Sequence, residues 1–384
     1  MTTFPIDKFQ DIETPFYYYD MNLLQQTLDT VVKEAAASKC RVHYAVKANA
    51  NPRILEAVCK AGLGVDCVSG GEIEAALKAG FTGDSIMFAG VGKTDREIAL
   101  ALDANIRCFN VESLPELLNI NEIAGKKKMM AHIAVRVNPN VDAHTHAYIT
   151  TGLNENKFGI NLENLEKFVK TALALDNVDL CGVHFHIGSQ ITETEPFVML
   201  CTKVREILDN MKQWGAIISI VDMGGGLGID YDDPDVNPVP DFGSYFAVFR
   251  DNLKLDEGQE LHVEPGRSIA GQCGSLITRV LYVKEGTMKK FAIVDGGMTD
   301  LIRPALYQAH HKIENISSTS AVDDVYDVVG PICESSDKFG TDERLPLVSR
   351  GDFLALRSAG AYGEIMASRY NCRRLPGSVF STDL

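Results

Sequence analysis

His43-Tyr44-Ala45-Val46-Lys47-Ala48-Asn49 reads as a short strand that ends on a lysine. Val42, Tyr44 and Val46 alternate with His43, Ala45 and Lys47, so a period of two sends the lysine to the face opposite the valines. Asn49-Ala50-Asn51-Pro52 then stops the strand and supplies a turn and a helix start. The carboxyl end of a β-strand is where barrel enzymes keep catalytic groups. Partial burial there lowers a lysine's pKa and makes its amine a nucleophile toward a carbonyl. Taken alone, the heptapeptide reads first as an exposed lysine at a strand end.

Working outward, apolar strand candidates recur at 42–46, 63–68, 85–89, 106–110, 131–137, 180–186, 217–222 and 260–264. Between them lie stretches of helical spacing at about 52–61, 71–79, 95–103, 113–123, 161–175, 196–214 and 241–254. Two of these helices close on Lys-Ala-Gly, at 60–62 and 78–80, where glycine suits a left-handed cap. Eight strands alternating with helices is the count of a (β/α)8 TIM barrel, and an open doubly wound sheet shows the same alternation. After residue 268 the texture changes to short β-rich runs, Ile277 to Lys284, Phe291 to Val294, Asp327 to Val329 and Phe353 to Leu356. The expected organisation is a barrel over 21–268 and a β-domain over 269–384. The aromatic N-terminal strand within 1–20 joins the β-domain, and the tail after Tyr370 has little pattern.

The 384 residues, 45% hydrophobic, suffice for a barrel plus an addition. A formal net charge of −15 argues against nucleic acid or an anionic membrane as the main partner, so local basic groups must do any anion binding. Nine cysteines at scattered spacings, with neither CxxC nor a Cys/His metal cluster, imply free thiols and no bound metal. The first twenty residues hold no apolar signal segment, and no apolar run approaches the roughly 20 residues that span a bilayer. A cytoplasmic protein is expected.

The later strands each end in polar residues, and a barrel gathers its strand ends on one rim. Strand six runs into His184-Phe185-His186-Ile187-Gly188-Ser189-Gln190, with both histidines on one face and His186 nearer the mouth. His186 could stack on an aromatic ring or be an ordinary buried histidine. Strand seven ends in Asp222-Met223-Gly224-Gly225-Gly226-Leu227-Gly228, where bare backbone N–H groups can approach a phosphate, although a glycine run is also simply a tight turn. Strand eight ends in Glu264-Pro265-Gly266-Arg267. Its acid could keep a pyridine nitrogen protonated, and its guanidinium could hold a phosphate or carboxylate. The β-domain adds Arg303 to Tyr307, Cys333-Glu334-Ser335 and Gly360-Ala361-Tyr362-Gly363. Cys333 lies in a turn-rich setting where a thiol could act as a general acid. The alternative is a small buried hydrophobe.

Together YAVKAN (44–49), VNPNVDAHTHAYITTGLNENKFGI (137–160), HFHIGSQI (184–191), GGGLGI (224–229), EPGR (264–267), RPALY (303–307), CES (333–335) and GAYG (360–363) resemble the fold-type III pyridoxal-phosphate-dependent decarboxylases. Nearly the whole chain takes part, and the strings are closest to the family's diaminopimelate branch. The resemblance implies an alanine-racemase-like barrel joined to a β-domain, and a head-to-tail homodimer that shares its active sites. It implies pyridoxal 5′-phosphate bonded through a Schiff base to Lys47, with His186 on the ring and Glu264 at the pyridine nitrogen. Ser189, Gly224, Gly225, Gly226, Gly266 and Arg267 would hold the phosphate, with Tyr362 closing on it. Arg267, Arg303 and Tyr307 would clamp a distal carboxylate, while Cys333 as proton donor and Glu334 as contact for the distal ammonium would come from the partner chain.

The implied reaction is decarboxylation of meso-2,6-diaminopimelate at its D-configured end to L-lysine and CO2, the last step of lysine synthesis. Charge supports that substrate. Ornithine or lysine presents only an ammonium at its far end, whereas Arg303 followed by Tyr307 suits a carboxylate. Carboxynorspermidine decarboxylase is the second reading, and a non-catalytic cofactor-binding relative is a third of a different class. A racemase is disfavoured by the acid at Glu264. Two further expectations concern Asp66, near the cofactor or in a salt bridge to another barrel residue, and His144 and His146, in an active-site loop between strands five and six.

Overall fold

The computed structural model describes residues 4–141 and 157–384, so the expectation for His144 and His146 lies outside the described residues. The chain divides into two compact units. One comprises Leu28–Gly228 and Asp241–Gly266, the other Met1–Thr27, Ile229–Pro240 and Arg267–Leu384.

After the N-terminal strand β1 (Phe16–Tyr19), the first unit is built on β2 (Cys40–Ala45), β3 (Gly64–Cys67), β4 (Ile86–Phe88), β5 (Cys108–Val111) and β6 (Ala131–Asn138). The two-residue β7 (Ile160–Asn161) follows, then β8 (Val178–His184), β9 (Ile220–Asp222) and β10 (Glu260–Val263). Neighbours pair in the order β5-β4-β3-β2-β10-β9-β8-β6, every pairing is parallel, and a β5–β6 pairing closes the ring, with β7 hanging on β6. The open-sheet alternative is thereby excluded, and the fold is a (β/α)8 barrel. Closure leaves the barrel without an edge strand, and the right-handed β-α-β crossovers that parallel pairing demands put the helices outside.

Local chemistry explains where the helices start and stop. Asn51, Ser69, Thr94, Ser113 and Asp241 each accept a backbone N–H from the first turn of the helix they precede. Gly62 and Gly80 end the first two barrel helices with φ of +79° and +101°, as their Lys-Ala-Gly sequences imply. On the outer face, Phe197 packs edge-on against Tyr245 and Phe249 at 5.2 and 5.8 Å between ring centres, joining helices Glu195–Gln213 and Phe242–Asn252.

The barrel buries polar and charged side chains, among them His43, Asp66, Asn110, His184, Asp222, His262 and Glu264. Met87, Cys108, Ala134 and Ile220 form a small apolar cluster within it. Between β2 and β10, His43 Nε2 and His262 Nδ1 share a hydrogen bond of 3.0 Å, and His262 Nε2 lies 3.3 Å from a Glu260 oxygen. Arg41 and Arg107 donate to the same carboxylate. With one proton per imidazole, His43 can donate to His262 and His262 to Glu260, which leaves the buried His43 Nδ1 without a hydrogen-bond partner among the described residues.

The second unit holds an eight-stranded sheet of β1 with β11 (Gly274–Glu285), β12 (Lys290–Val294), β13 (Ile313–Asn315), β14 (Asp323–Val329), β15 (Lys338–Pro346), β16 (Phe353–Leu356) and β17 (Gly377–Phe380). β1 runs antiparallel to β11 on one side and parallel to β17 on the other. The patternless tail therefore carries a strand. With only Val379 and Phe380 apolar, it is too short to show a period.

Burial pushes both His43 and His262 down from 6.5 to about 3, reinforced at His43 by His262 and Arg107 and at His262 by Arg107 and Arg41. The unfolded chain takes up protons near pH 6.5 that these rings refuse until about pH 3, so it binds more protons across that window and stability falls as pH is lowered through it. Replacing His43 by Gln is expected to reduce the slope of unfolding free energy against pH between about 4 and 6.5 by up to about 1.4 kcal/mol per pH unit. Urea unfolding at a series of pH values measures this, and an unchanged slope contradicts it.

Candidate active site

Strand β2 ends at Ala45, two residues before the lysine. Val46–Ala48 forms a single 3-10 turn, so Lys47 sits just beyond the strand. Tyr44 locks the turn by donating its hydroxyl to the Asn49 carbonyl at 2.9 Å, while Asn51 caps the following helix. The Lys47 amine lies 3.6 Å from Asp66, which is fully buried on β3; the lysine side chain is 35% exposed. Asp66 thus makes the expected salt bridge to another barrel residue, and its partner is Lys47 itself.

Glu264, one residue past β10, is buried in the barrel. His184 Nε2 lies 3.0 Å from one of its oxygens, and the Asn110 side chain donates to the other at 3.2 Å. Burial pushes the Glu264 carboxyl up, but His184 and then Lys47 outweigh it and hold it well below the usual carboxylate range. Asp66 and Asp222 shift the other way. Burial first, then the charge on Glu264, raises both.

Past the end of β8, His186 is kept neutral by burial and by the charges of Lys47 and Arg136. Its Nδ1 accepts the N–H of Gly225 at 3.4 Å. The glycine turn follows β9, and its close packing explains its composition. Gly224 has φ +71°, and a Cβ there would stand 2.2 Å from the Phe185 carbonyl; at Gly225 a Cβ would meet the Glu264 carbonyl at 2.3 Å. Gly266 packs against the lysine turn, where a Cβ would come to 3.0 Å from that of Ala45. The barrel thus brings Lys47, His186, Glu264 and the Gly224–Gly226 turn to the carboxyl ends of its strands, with Ser189 on the His186 loop.

The second unit assembles a cationic group of its own. Arg267 is buried and donates to the Tyr231 hydroxyl at 2.5 Å; its guanidinium lies 4.9 Å from the centre of the Tyr362 ring. Arg303 is also buried, 4.9 Å from the centre of the Tyr231 ring, and donates to His311 Nε2 at 2.7 Å. His311 in turn donates from Nδ1 to the Arg357 carbonyl at 2.8 Å. Burial, then Arg303, pushes His311 down to about 3, so the ring is a neutral acceptor. Tyr307 ends the five-residue helix that Arg303 begins, and Tyr362 has φ +57°. Cys333 and Glu334 stand exposed on the turn before β15, where the Cys333 N–H reaches Asn371 and Glu334 accepts from Tyr370 at 2.7 Å.

Four contributors escaped sequence reasoning: Asn110, Tyr231, His311 and, as partner of Glu264, His184. Tyr231 follows the glycine turn by only a few residues, and His311 follows Arg303 by eight, but neither carries a local pattern.

Comparison with known proteins adds to this geometry. Residues 23–271 match the pyridoxal binding domain of the pyridoxal-dependent decarboxylases. Bacteroides thetaiotaomicron diaminopimelate decarboxylase is 57% identical over 382 residues, 99% of either chain. That of Vibrio cholerae is 43% identical over 94% of this chain and 85% of its own. The crystal structure of Helicobacter pylori diaminopimelate decarboxylase complexed with L-lysine superposes with a TM-score of 0.93 at 40% identity, over 99% of this chain and 94% of that one.

The residues fit the family's cofactor, pyridoxal 5′-phosphate. The barrel offers a primary amine, an ionised carboxylate for a ring nitrogen, a neutral imidazole and a glycine turn that admits no side chain. The chain belongs to the pyridoxal-dependent decarboxylases and, within them, to the diaminopimelate decarboxylase family.

Proposed function

We propose that this protein decarboxylates meso-2,6-diaminopimelate to L-lysine and CO2, the last step of lysine synthesis. The observation that carries the substrate is the setting of Arg303. It is buried, and its partners, His311 and Tyr231, are neutral, so the guanidinium keeps an unbalanced charge that a carboxylate would answer. A substrate with only a distal ammonium would leave that charge unanswered.

Bound pyridoxal phosphate supplies an electron sink for the pair of electrons left when carbon dioxide departs. Lys47 would hold the cofactor through its amine, with the Asp66 carboxyl 3.6 Å from that amine. Glu264, kept ionised by His184 and hydrogen-bonded by Asn110, would hold a proton on the ring nitrogen. His186 would serve the ring, while Ser189, Gly224, Gly225, Gly226, Gly266 and Arg267 would hold the phosphate with Tyr362. Arg267, Arg303 and Tyr307 take the distal carboxylate. The working form is a homodimer in the cytoplasm. Cys333 of one chain delivers a proton to the α-carbon in the other's site, and Glu334 meets the distal ammonium there. Exposure of both residues supports a role outside their own chain, and nine free cysteines suit a reducing compartment.

Release of carbon dioxide from meso-diaminopimelate, measured beside L-ornithine, L-lysine and carboxynorspermidine, tests the reaction. Release from diaminopimelate alone is expected. Arg303→Ala is expected to lose about 10²-fold or more in kcat/KM while still binding pyridoxal phosphate. Equal turnover of ornithine or carboxynorspermidine would discard the carboxylate argument, and no release from any substrate would favour the non-catalytic reading. Sharing of sites is tested by mixing Lys47→Ala with Cys333→Ala, each inactive alone. Random pairing of subunits is expected to restore about one quarter of the parent activity, and no recovery contradicts a shared site.

A further inference from the structure

At the amino-terminal end of the barrel, opposite in strand direction to Lys47, three metal-ligating side chains converge. His132 and Asp179 are the second residues of β6 and β8 and face each other in register, with Nδ1 2.9 Å from a carboxylate oxygen. Both are half exposed. Two residues on, the register slips. Ile133 pairs with Leu180 but Ala134 with Gly182, leaving Cys181 as the extra residue of a β-bulge. A bulge re-aims the side chain it carries, and here the thiol joins the other two. The His132 nitrogen, Asp179 oxygen and Cys181 sulfur all lie within 4.8 Å of one another. Cys108, on the strand that flanks β6 on its other side, belongs to the apolar cluster against which Cys181 packs, and its thiol donates to the Phe109 carbonyl at 3.7 Å, as that of Cys181 does to the Ile133 carbonyl at 3.6 Å.

We propose that His132, Asp179 and Cys181 form a binding site for a divalent transition metal such as zinc, with the fourth position filled by water. Ligand atoms at about 2.0–2.3 Å from a tetrahedral zinc stand on the order of 3.5 Å apart, so the observed spacing closes with small side-chain movements. One imidazole, one carboxylate and one thiolate are a borderline donor set, which favours zinc or cobalt over calcium or magnesium. The ion would tie β6 to β8 across the bulge, where the ladder is interrupted. Metal capture requires loss of the Cys181 proton, so affinity rises with pH. Nothing in the proposal depends on the catalytic residues.

Cobalt serves as the probe. Untagged, pyridoxal-phosphate-loaded protein is freed of metal with a chelator and titrated with Co2+, reading the tetrahedral d–d bands to the red of the cofactor's own absorption. One equivalent is expected to bind, and zinc is expected to displace it and raise the thermal midpoint. Cys181→Ser should abolish the bands. His132→Gln, at a half-exposed position, should weaken binding at least about tenfold while leaving carbon dioxide release intact. Absence of d–d bands in the parent protein would overturn the proposal. So would bands that persist unchanged in both variants, which would place the metal elsewhere, as at the exposed Cys333 or Cys372.

Discussion

The site depends on one buried negative charge, the carboxylate of Glu264. Placing a carboxylate inside a protein costs several kcal/mol unless its neighbours compensate. Here His184 and Asn110 occupy both oxygens, and Lys47 adds its field from the barrel mouth. The compensation does not extend to every acid nearby. Asp66 and Asp222 are pushed toward the neutral form by burial and by Glu264 itself. Like charges in one low-dielectric space cannot all persist, and the hydrogen bonds decide which one does.

That arrangement exists because the barrel closes. Lys47 follows β2, Asp66 lies on β3, Asn110 on β5, His184 on β8, Asp222 on β9 and Glu264 follows β10. Separations of up to 217 residues between Lys47 and Glu264 (264 − 47) vanish because β2 and β10 are neighbours. The glycines serve the same end. Where the β9 turn passes the Phe185 and Glu264 carbonyls at contact distance, only hydrogen fits. The same packing fixes the His186 imidazole against the Gly225 N–H. The backbone of the turn and the ring beside it are therefore set by one steric constraint.

Much of this could be read from the sequence. The eight barrel strands and seven intervening helices follow from hydrophobic period, caps and terminal glycines, because each of those signals is local. The Lys47 strand was extended two residues too far, since a 3-10 turn and a strand end look alike in a run as short as Val46-Lys47-Ala48. The polar interior was not legible. His43 and His262 are hydrogen-bonded only because β2 and β10 close the barrel, and a buried histidine carries no mark of its partner. Tyr231 and His311 escaped for the same reason. Their significance lies in being beside Arg267 and Arg303, a fact of tertiary structure. Strand β17 was missed because four residues cannot display a period.

The central claim is that Glu264 stays ionised inside the barrel. The most direct measurement is the side-chain carboxyl carbon shift of 13C-labelled glutamates followed against pH by NMR, with Glu264→Gln identifying the resonance. The account expects the Glu264 signal to hold its ionised position, below the usual carboxylate range and down to the pH at which the protein unfolds. Titration of Glu264 within or above the usual carboxylate range would contradict it.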